Sequence, residues 1–158
     1  WYISALLKEG DIDRAYECYN WINPINRTKT EDSVNKYKTE PYAIAADIYS
    51  NPDLVGRGGW SWYTGSASWF YKIGLEDILG FKKEEDKLKI VPNIYSKWNK
   101  YSIKYKYKSS VYNILVINDK HLNSGNINIK LDNKSIKDEY ISLKDDGKEH
   151  NIEIKIVE

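Results

Sequence analysis

The residues best suited to chemistry lie in one stretch, Val55-Gly56-Arg57-Gly58-Gly59-Trp60-Ser61-Trp62-Tyr63-Thr64-Gly65-Ser66-Ala67-Ser68-Trp69-Phe70. Three glycines and Arg57 run into large aromatics, and Thr64-Gly65-Ser66-Ala67 then opens an amphipathic run. A glycine-rich loop feeding a helix start is a natural anion site. Free backbone N–H groups and the positive end of the helix dipole converge there, and Thr64 and Ser66 add hydroxyl donors. The aromatics suit sugar rings, whose C–H faces pack on flat apolar surfaces. Each residue also has a purely structural reading: Ser or Thr before a helix serves as a cap, and Trp and Tyr fill cores. The stretch is no nucleotide loop. It lacks the Lys-Ser/Thr pair of a P-loop, and no strand-like run precedes its glycines as the dinucleotide fingerprint requires.

Around it stand residues with two readings each. Arg57 either bonds loop carbonyls or reaches an anion. Trp60 and Trp62 either wall a sugar site or pack between helices. Glu40, just before Pro41, either orients a sugar hydroxyl or marks a helix start. The acid groups Asp11/Asp13, Glu84/Glu85/Asp86 and Asp145/Asp146 sit in polar surroundings and read as solvated or turn-forming. His121 and His150 lie far apart without companion ligands at metal spacing, so no metal site is expected. The single Cys18 excludes an internal disulfide, fits a reducing compartment and reads as inert helix packing.

The run Gly56-Arg57-Gly58-Gly59-Trp60-Ser61-Trp62-Tyr63-Thr64-Gly65-Ser66-Ala67, preceded by Glu40-Pro41-Tyr42 and Tyr49-Ser50-Asn51-Pro52, closely resembles glycoside hydrolase family 94. That family holds the inverting cellobiose and chitobiose phosphorylases, the 1,2-β-oligoglucan phosphorylases and the C-terminal module of cyclic β-1,2-glucan synthases. Asn23-Pro24-Ile25-Asn26 is most typical of its β-1,2-glucan branch, which often carries His where this chain has Arg27.

The resemblance implies that Thr64 and Gly65 help bind phosphate, with inorganic phosphate as co-substrate and no cofactor. Phosphorolysis needs a carboxylic acid to protonate the leaving oxygen, and a phosphate where an inverting hydrolase holds its water. By the same resemblance the catalytic Asp, an Arg and a His for phosphate, and most sugar contacts lie upstream, so no catalytic residue is expected here. The implied partners are an oligosaccharide and phosphate. The implied location is cytoplasmic, with a membrane-anchored parent if that parent is a cyclic glucan synthase.

The elements that must position these residues change character midway. Trp1 to Lys8 reads as a helix ended by Gly10. A second helix, capped by Asp11, carries Ile12, Ala15, Tyr16 and Tyr19 on one face and stops before Pro24. A short helix capped by Thr30 follows, then one from Pro41 carrying Tyr42, Ile44, Ala45 and Ile48. Ala67, Tyr71, Gly74, Leu75 and Ile78 recur at helical spacing up to Gly80. After a charged link from Lys82 to Lys87, the period becomes two: Ile103-Tyr105-Tyr107, Tyr112-Ile114-Val116, Ile127-Ile129-Leu131 and Ile152-Ile154-Ile156.

The expectation is therefore an α+β chain. Residues 1–81 would be the closing helices of an (α/α)6 barrel bearing the phosphate loop, and 82–158 an antiparallel, jelly-roll-like β-sandwich.

The bulk properties agree with such a chain. Its 158 residues, 41% of them hydrophobic, can bury a core, and a net charge of +1 gives no argument for nucleic acid or an anionic membrane. The opening Trp1-Tyr2-Ile3 reads as mid-helix, so a fragment is expected, inactive alone. Its helical faces Ile12/Tyr16/Tyr19 and Leu75/Ile78 would then seek neighbours, in a homodimer or other association. The competing readings are a non-catalytic carbohydrate-binding module and a structural or partner-docking domain.

Overall fold

A computed structural model describes residues 1–61 and 65–158 of the chain. The first helix, α1 (Tyr2–Glu9), stops at Gly10, whose left-handed backbone (φ 84°) returns its N–H to the carbonyls of Leu6 and Leu7. Asp11 stands at the cap position of α2 (Ile12–Ile22), but its side chain makes no cap hydrogen bond. Pro24 opens a 3₁₀ turn (Pro24–Arg27), where the Asn23 side chain accepts the Ile25 N–H. Thr30 and Ser33 form a reciprocal capping box on α3 (Glu31–Tyr37).

The helix expected from Pro41 does not form. Residues 41–50 are irregular and extended, with Ile48 bridged to Gly58. The N–H groups of Ala46 and Tyr49 donate to the carbonyls of Trp60 and Arg57 at 2.7 and 2.9 Å. The glycine-rich loop thus supplies partners that a helix would have supplied internally.

Helix α4 (Ser66–Lys72) runs directly into a π-helical segment (Ile73–Ile78), where the Leu79 N–H reaches back five residues to the Gly74 carbonyl. The wider turn rotates the apolar face away from the expected stripe. Ala67 and Tyr71 are exposed, while Ile73 and Ile78 are buried.

These two isoleucines join Ile3, Leu7, Ile12, Ala15 and Cys18 in one cluster, flanked by Leu6 and Tyr19. Tyr19 stacks on Phe70 with centroids 3.9 Å apart, and Tyr16 stacks on Tyr95 at 4.6 Å. The faces expected to seek outside neighbours are therefore largely covered within the chain. The exposed apolar side chains are others, notably Trp1, Tyr42, Trp60, Trp69 and Tyr71.

The charged link is itself a hairpin. β1 (Phe81–Glu84) pairs with β2 (Lys87–Ile90) around Glu85, which takes a positive φ. The remaining strands are β3 (Lys100–Tyr107), β4 (Ser110–Ile117), β5 (Asn126–Leu131), β6 (Lys134–Ile136), β7 (Tyr140–Ser142) and β8 (Glu149–Val157). They form a three-stranded sheet, β1-β2-β7, and a five-stranded sheet, β3-β4-β8-β5-β6.

One pairing departs from the all-antiparallel expectation: β4 and β8 run parallel, Ile114 opposite Ile152. Their connection is long enough to hold three other strands, which is what a parallel pair requires. Both sheets bury side chains in one cluster, with Leu88, Ile90 and Ile141 from the smaller and Ile114, Val116, Ile152 and Ile154 from the larger. The strand half is tied to the helices by polar bonds as well. Asp13 accepts from the Ser96 N–H (3.1 Å), the Ser96 hydroxyl (3.0 Å) and the Asn123 amide (2.6 Å). The Tyr101 hydroxyl donates to the Leu79 carbonyl.

Candidate functional site

The glycine-rich loop is held from both sides by backbone groups. Gly59 N–H donates to the Asp47 carbonyl and Gly58 N–H to that of Tyr37, at 2.9 and 2.8 Å. The Gly56 N–H donates to Tyr49 at 2.9 Å, from a left-handed backbone (φ 86°) that favours glycine. At Gly59 the reason for glycine is space, because a Cβ there would fall on the Asp47 carboxylate. That carboxylate also accepts the Trp60 N–H at 3.0 Å. Asp47 is a loop anchor that sequence reasoning did not single out. Only its fold-back onto glycines 58 and 59 reveals the role.

Glu40 belongs to the same frame. The Ser61 hydroxyl donates to its carboxylate at 3.1 Å, so Glu40 fixes the end of the described loop rather than starting a helix. Trp60 is 64% exposed, its backbone paired and its ring turned outward. Arg57 is exposed, and among the described residues no hydrogen bond or ion pair of its guanidinium is found. Trp62 and Thr64, the other aromatic and the hydroxyl of the phosphate expectation, lie outside the described residues.

Gly65 opens α4 in ordinary right-handed backbone (φ −65°, ψ −13°), with no side-chain cap on that end. A Cβ at Gly65 would meet nothing within 4 Å. The turn, as far as the described residues show, therefore does not itself require glycine.

Beside the loop is a cleft of about 430 Å³. Trp21 of α2, Arg27 of the 3₁₀ turn after it, Lys36 and Tyr37 of α3, Gly56 of the loop and Ser66 of α4 line it. Arg27 is fixed by donating from Nε and Nη2 to the Trp21 carbonyl at 2.9 and 2.6 Å. The Lys36 stem lies over Gly56, where a Cβ would displace it. The cleft combines aromatic and aliphatic surface (Ile22, Ile44, Ala45 and Ile48) with hydroxyls and two cations, and its described lining includes no carboxylate. That composition offers no group for proton transfer by a carboxylic acid. Lys36 and the site role of Arg27 were not legible in the sequence, since each sits in an ordinary polar run.

The histidines belong elsewhere. His150 Nδ1 meets Asp132 at 2.8 Å and Nε2 meets Asp146 at 3.1 Å, with Tyr112 stacked on the ring. The Asp132 hydrogen bond raises the His150 pKa against the opposing effect of burial, with Asp146 adding to the rise. Both nitrogens are engaged, so the imidazole ties strands together and has none to spare for a substrate. Asp146, read as solvated or turn-forming, holds the turn before β8 by accepting the Lys148 N–H at 3.1 Å, and Asp13, read the same way, is a structural anchor.

The family model described as "Glycosyl hydrolase 94 superfamily, catalytic domain" matches residues 1–80. The chain is 39% identical over 119 residues to the cyclic beta-(1,2)-glucan synthase NdvB of Rhizobium meliloti (strain 1021), covering 75% of this chain and 4% of that protein. It is 26% identical over 147 residues to the solabiose phosphorylase of Paenibacillus borealis, covering 92% and 19%. It is also 26% identical over 155 residues to the N,N'-diacetylchitobiose phosphorylase of Vibrio furnissii, covering 98% and 18%. The chain spans less than a fifth of the length of these relatives.

Proposed function

The chain belongs to the glycosyl hydrolase 94 superfamily, and on that premise we propose that it forms the phosphate-side portion of an inverting glycoside phosphorylase module acting on β-glucosides, with β-1,2-glucans as the favoured class. The observation that carries the reading is the pinned loop from Gly56 to Ser61 leading to an uncapped helix start at Gly65. The likeness to a β-1,2-glucan synthase favours that linkage.

In this reading the Thr64 hydroxyl and the Gly65 N–H donate to phosphate, and Arg57 stands at the loop's edge as a further cation. Trp60 and Trp62 offer ring faces to the sugar. A carboxylic acid outside these 158 residues protonates the glycosidic oxygen. A phosphate oxygen forms the new bond to the anomeric carbon as the old C–O bond breaks, and sugar 1-phosphate leaves with inverted configuration. The helices up to residue 81 would close an (α/α)6 barrel, and residues 82–158 would form the jelly-roll-like domain beside it.

The test is phosphorolysis followed by ³¹P NMR. The complete protein should convert a β-1,2-glucooligosaccharide and phosphate to α-glucose 1-phosphate, and the 158-residue chain alone should not. Release of free glucose without any need for phosphate would overturn the proposal, as would turnover by the isolated chain.

A further inference from the structure

The five-stranded sheet turns one face to the shared core and the other outward, and the outward face carries a second cleft of about 310 Å³. That volume is at the lower end of the range for small-molecule sites. Strand alternation builds it. Ile114, Ile152 and Ile154 are buried, so Asn113, Leu115, Asn151 and Glu153 fall on the opposite face. Register then sets these side chains in rows. Ser102 pairs with Leu115 and Leu115 with Glu153, while Lys104 pairs with Asn113 and Asn113 with Asn151. Two carboxamides therefore stand side by side on adjacent strands, roughly 4.8 Å apart along the hydrogen-bonding direction.

The chemistry of this face is specific in what it lacks. The strand backbones are paired within the sheet, so recognition falls to side chains. Glu153 is ion-paired with Lys130 at 2.8 Å, and Glu149, at the edge, accepts from the Asn113 amide at 3.3 Å. Lys130 is neutralised by Glu153 and Lys104 is the one further charge in the described lining, so no cluster of one sign is there to select an ion. Leu115 is 37% exposed and lies in the row beside the amides. An amide offers both a donor and an acceptor, and two in parallel match neighbouring hydroxyls on a pyranose ring. Leu115 gives the ring's C–H face an apolar contact.

We infer that this cleft on the five-stranded sheet binds a neutral saccharide, a β-glucan chain held apart from the phosphate loop. The inference rests on the reading of the protein as one that acts on glycans. Such a site would keep a long substrate on the protein between turnovers without taking part in bond cleavage.

Titration of the ¹⁵N-labelled chain with β-1,2-glucohexaose tests it. The sugar should move the backbone and side-chain amide signals of Asn113 and Asn151, with Ser102 and Leu115. Asn113→Ala and Asn151→Ala should each weaken binding about two- to tenfold, the size of one or two lost neutral hydrogen bonds. Both side chains point to solvent from paired strands, and preserved signal dispersion would verify that the variants fold. Inorganic phosphate alone should leave these signals in place. The inference falls if the sugar moves no signal on this sheet, or if both variants bind as tightly as the parent chain. It also falls if every perturbation lies before Phe81. Any of these with phosphate-dependent turnover intact would remove this site alone. Loss of the phosphate dependence with sheet binding intact would remove the phosphorylase reading and leave this site standing.

Discussion

The two halves of the chain bury their apolar residues to different degrees. In the strand half, both sheets close over one cluster, and Leu88, Ile90, Val116, Ile154 and Ile156 have no exposed surface at all. In the helical half the cluster is small. All the exposed large apolar side chains among the described residues, except Val91 and Leu115, lie before Phe81. The strand half closes over its own core, whereas the exposed apolar side chains gather in the helical half. The proposed chemistry lies on the half with more exposed apolar surface.

The largest expected effect separates the halves by core truncation. Ile154→Ala should cost about 2–5 kcal/mol, the usual range for a buried isoleucine. Tyr71→Ala, at a residue 69% exposed, should stay within about 0.5 kcal/mol. Urea titrations of both variants measure the contrast, and equal losses would break it.

Next comes the tie between the halves. Asp13 is the anchor, and Asp13→Ala removes its part-exposed hydrogen bonds, together worth about 1.5–3 kcal/mol. The cooperative melt should split, with the helical signal lost first. The same tie should fail in acid. Burial works to raise the Asp13 pKa, but the Ser96 N–H, the Ser96 hydroxyl and the Asn123 amide outweigh it and hold the carboxyl below its ordinary 3.8. Its contribution is therefore present above pH 3.8 and lost as pH falls through the lower folded value. A single unsplit transition in the variant would mean that the remaining contacts, such as the Tyr101–Leu79 hydrogen bond and apolar packing, suffice to couple the halves.

The smallest effect is within the strand half. The His150 pKa is raised, so its bonds to Asp132 and Asp146 stabilise fully below pH 6.5 and weaken as pH rises through the folded value. His150→Gln should flatten the stability profile above pH 6.5, as melting curves across that window would reveal.

The same contrast explains what the sequence disclosed. Strands β3, β4, β5 and β8 were legible because side-chain alternation and burial are the same signal in a half-buried sheet. The parallel pairing of β4 with β8 was not, since alternation carries no direction. Gly10, Pro24 and Thr30 marked helix ends by local chemistry alone, and all three mark ends in the fold. The segment after Pro41 misled because its apolar spacing fits a helix, while its backbone partners lie well beyond one helical turn, at Arg57 and Trp60. The π turn after Lys72 leaves no mark in the sequence, yet it decides that Ile73 is buried in place of Tyr71. At the site, the motif located the loop, but the supports of that loop, Asp47 and Lys36, are visible only once the chain folds back. Gly65 is the reverse case. Its right-handed backbone and open surroundings among the described residues do not themselves demand glycine. Gly65→Ala should accordingly leave the melt unchanged.

The central claim is that the start of α4 holds phosphate, and Thr64→Val in the complete protein tests it most directly. Val keeps the β-branched shape and removes only the hydroxyl. Loss of one hydrogen bond to a charged group, about 1.5–3 kcal/mol, predicts a roughly ten- to hundredfold fall in kcat/KM for phosphate, with sugar KM and melting temperature nearly unchanged. If Thr64 is instead only a helix cap, stability should drop by about 1 kcal/mol while phosphate kinetics stay as they were, and that result would contradict the claim.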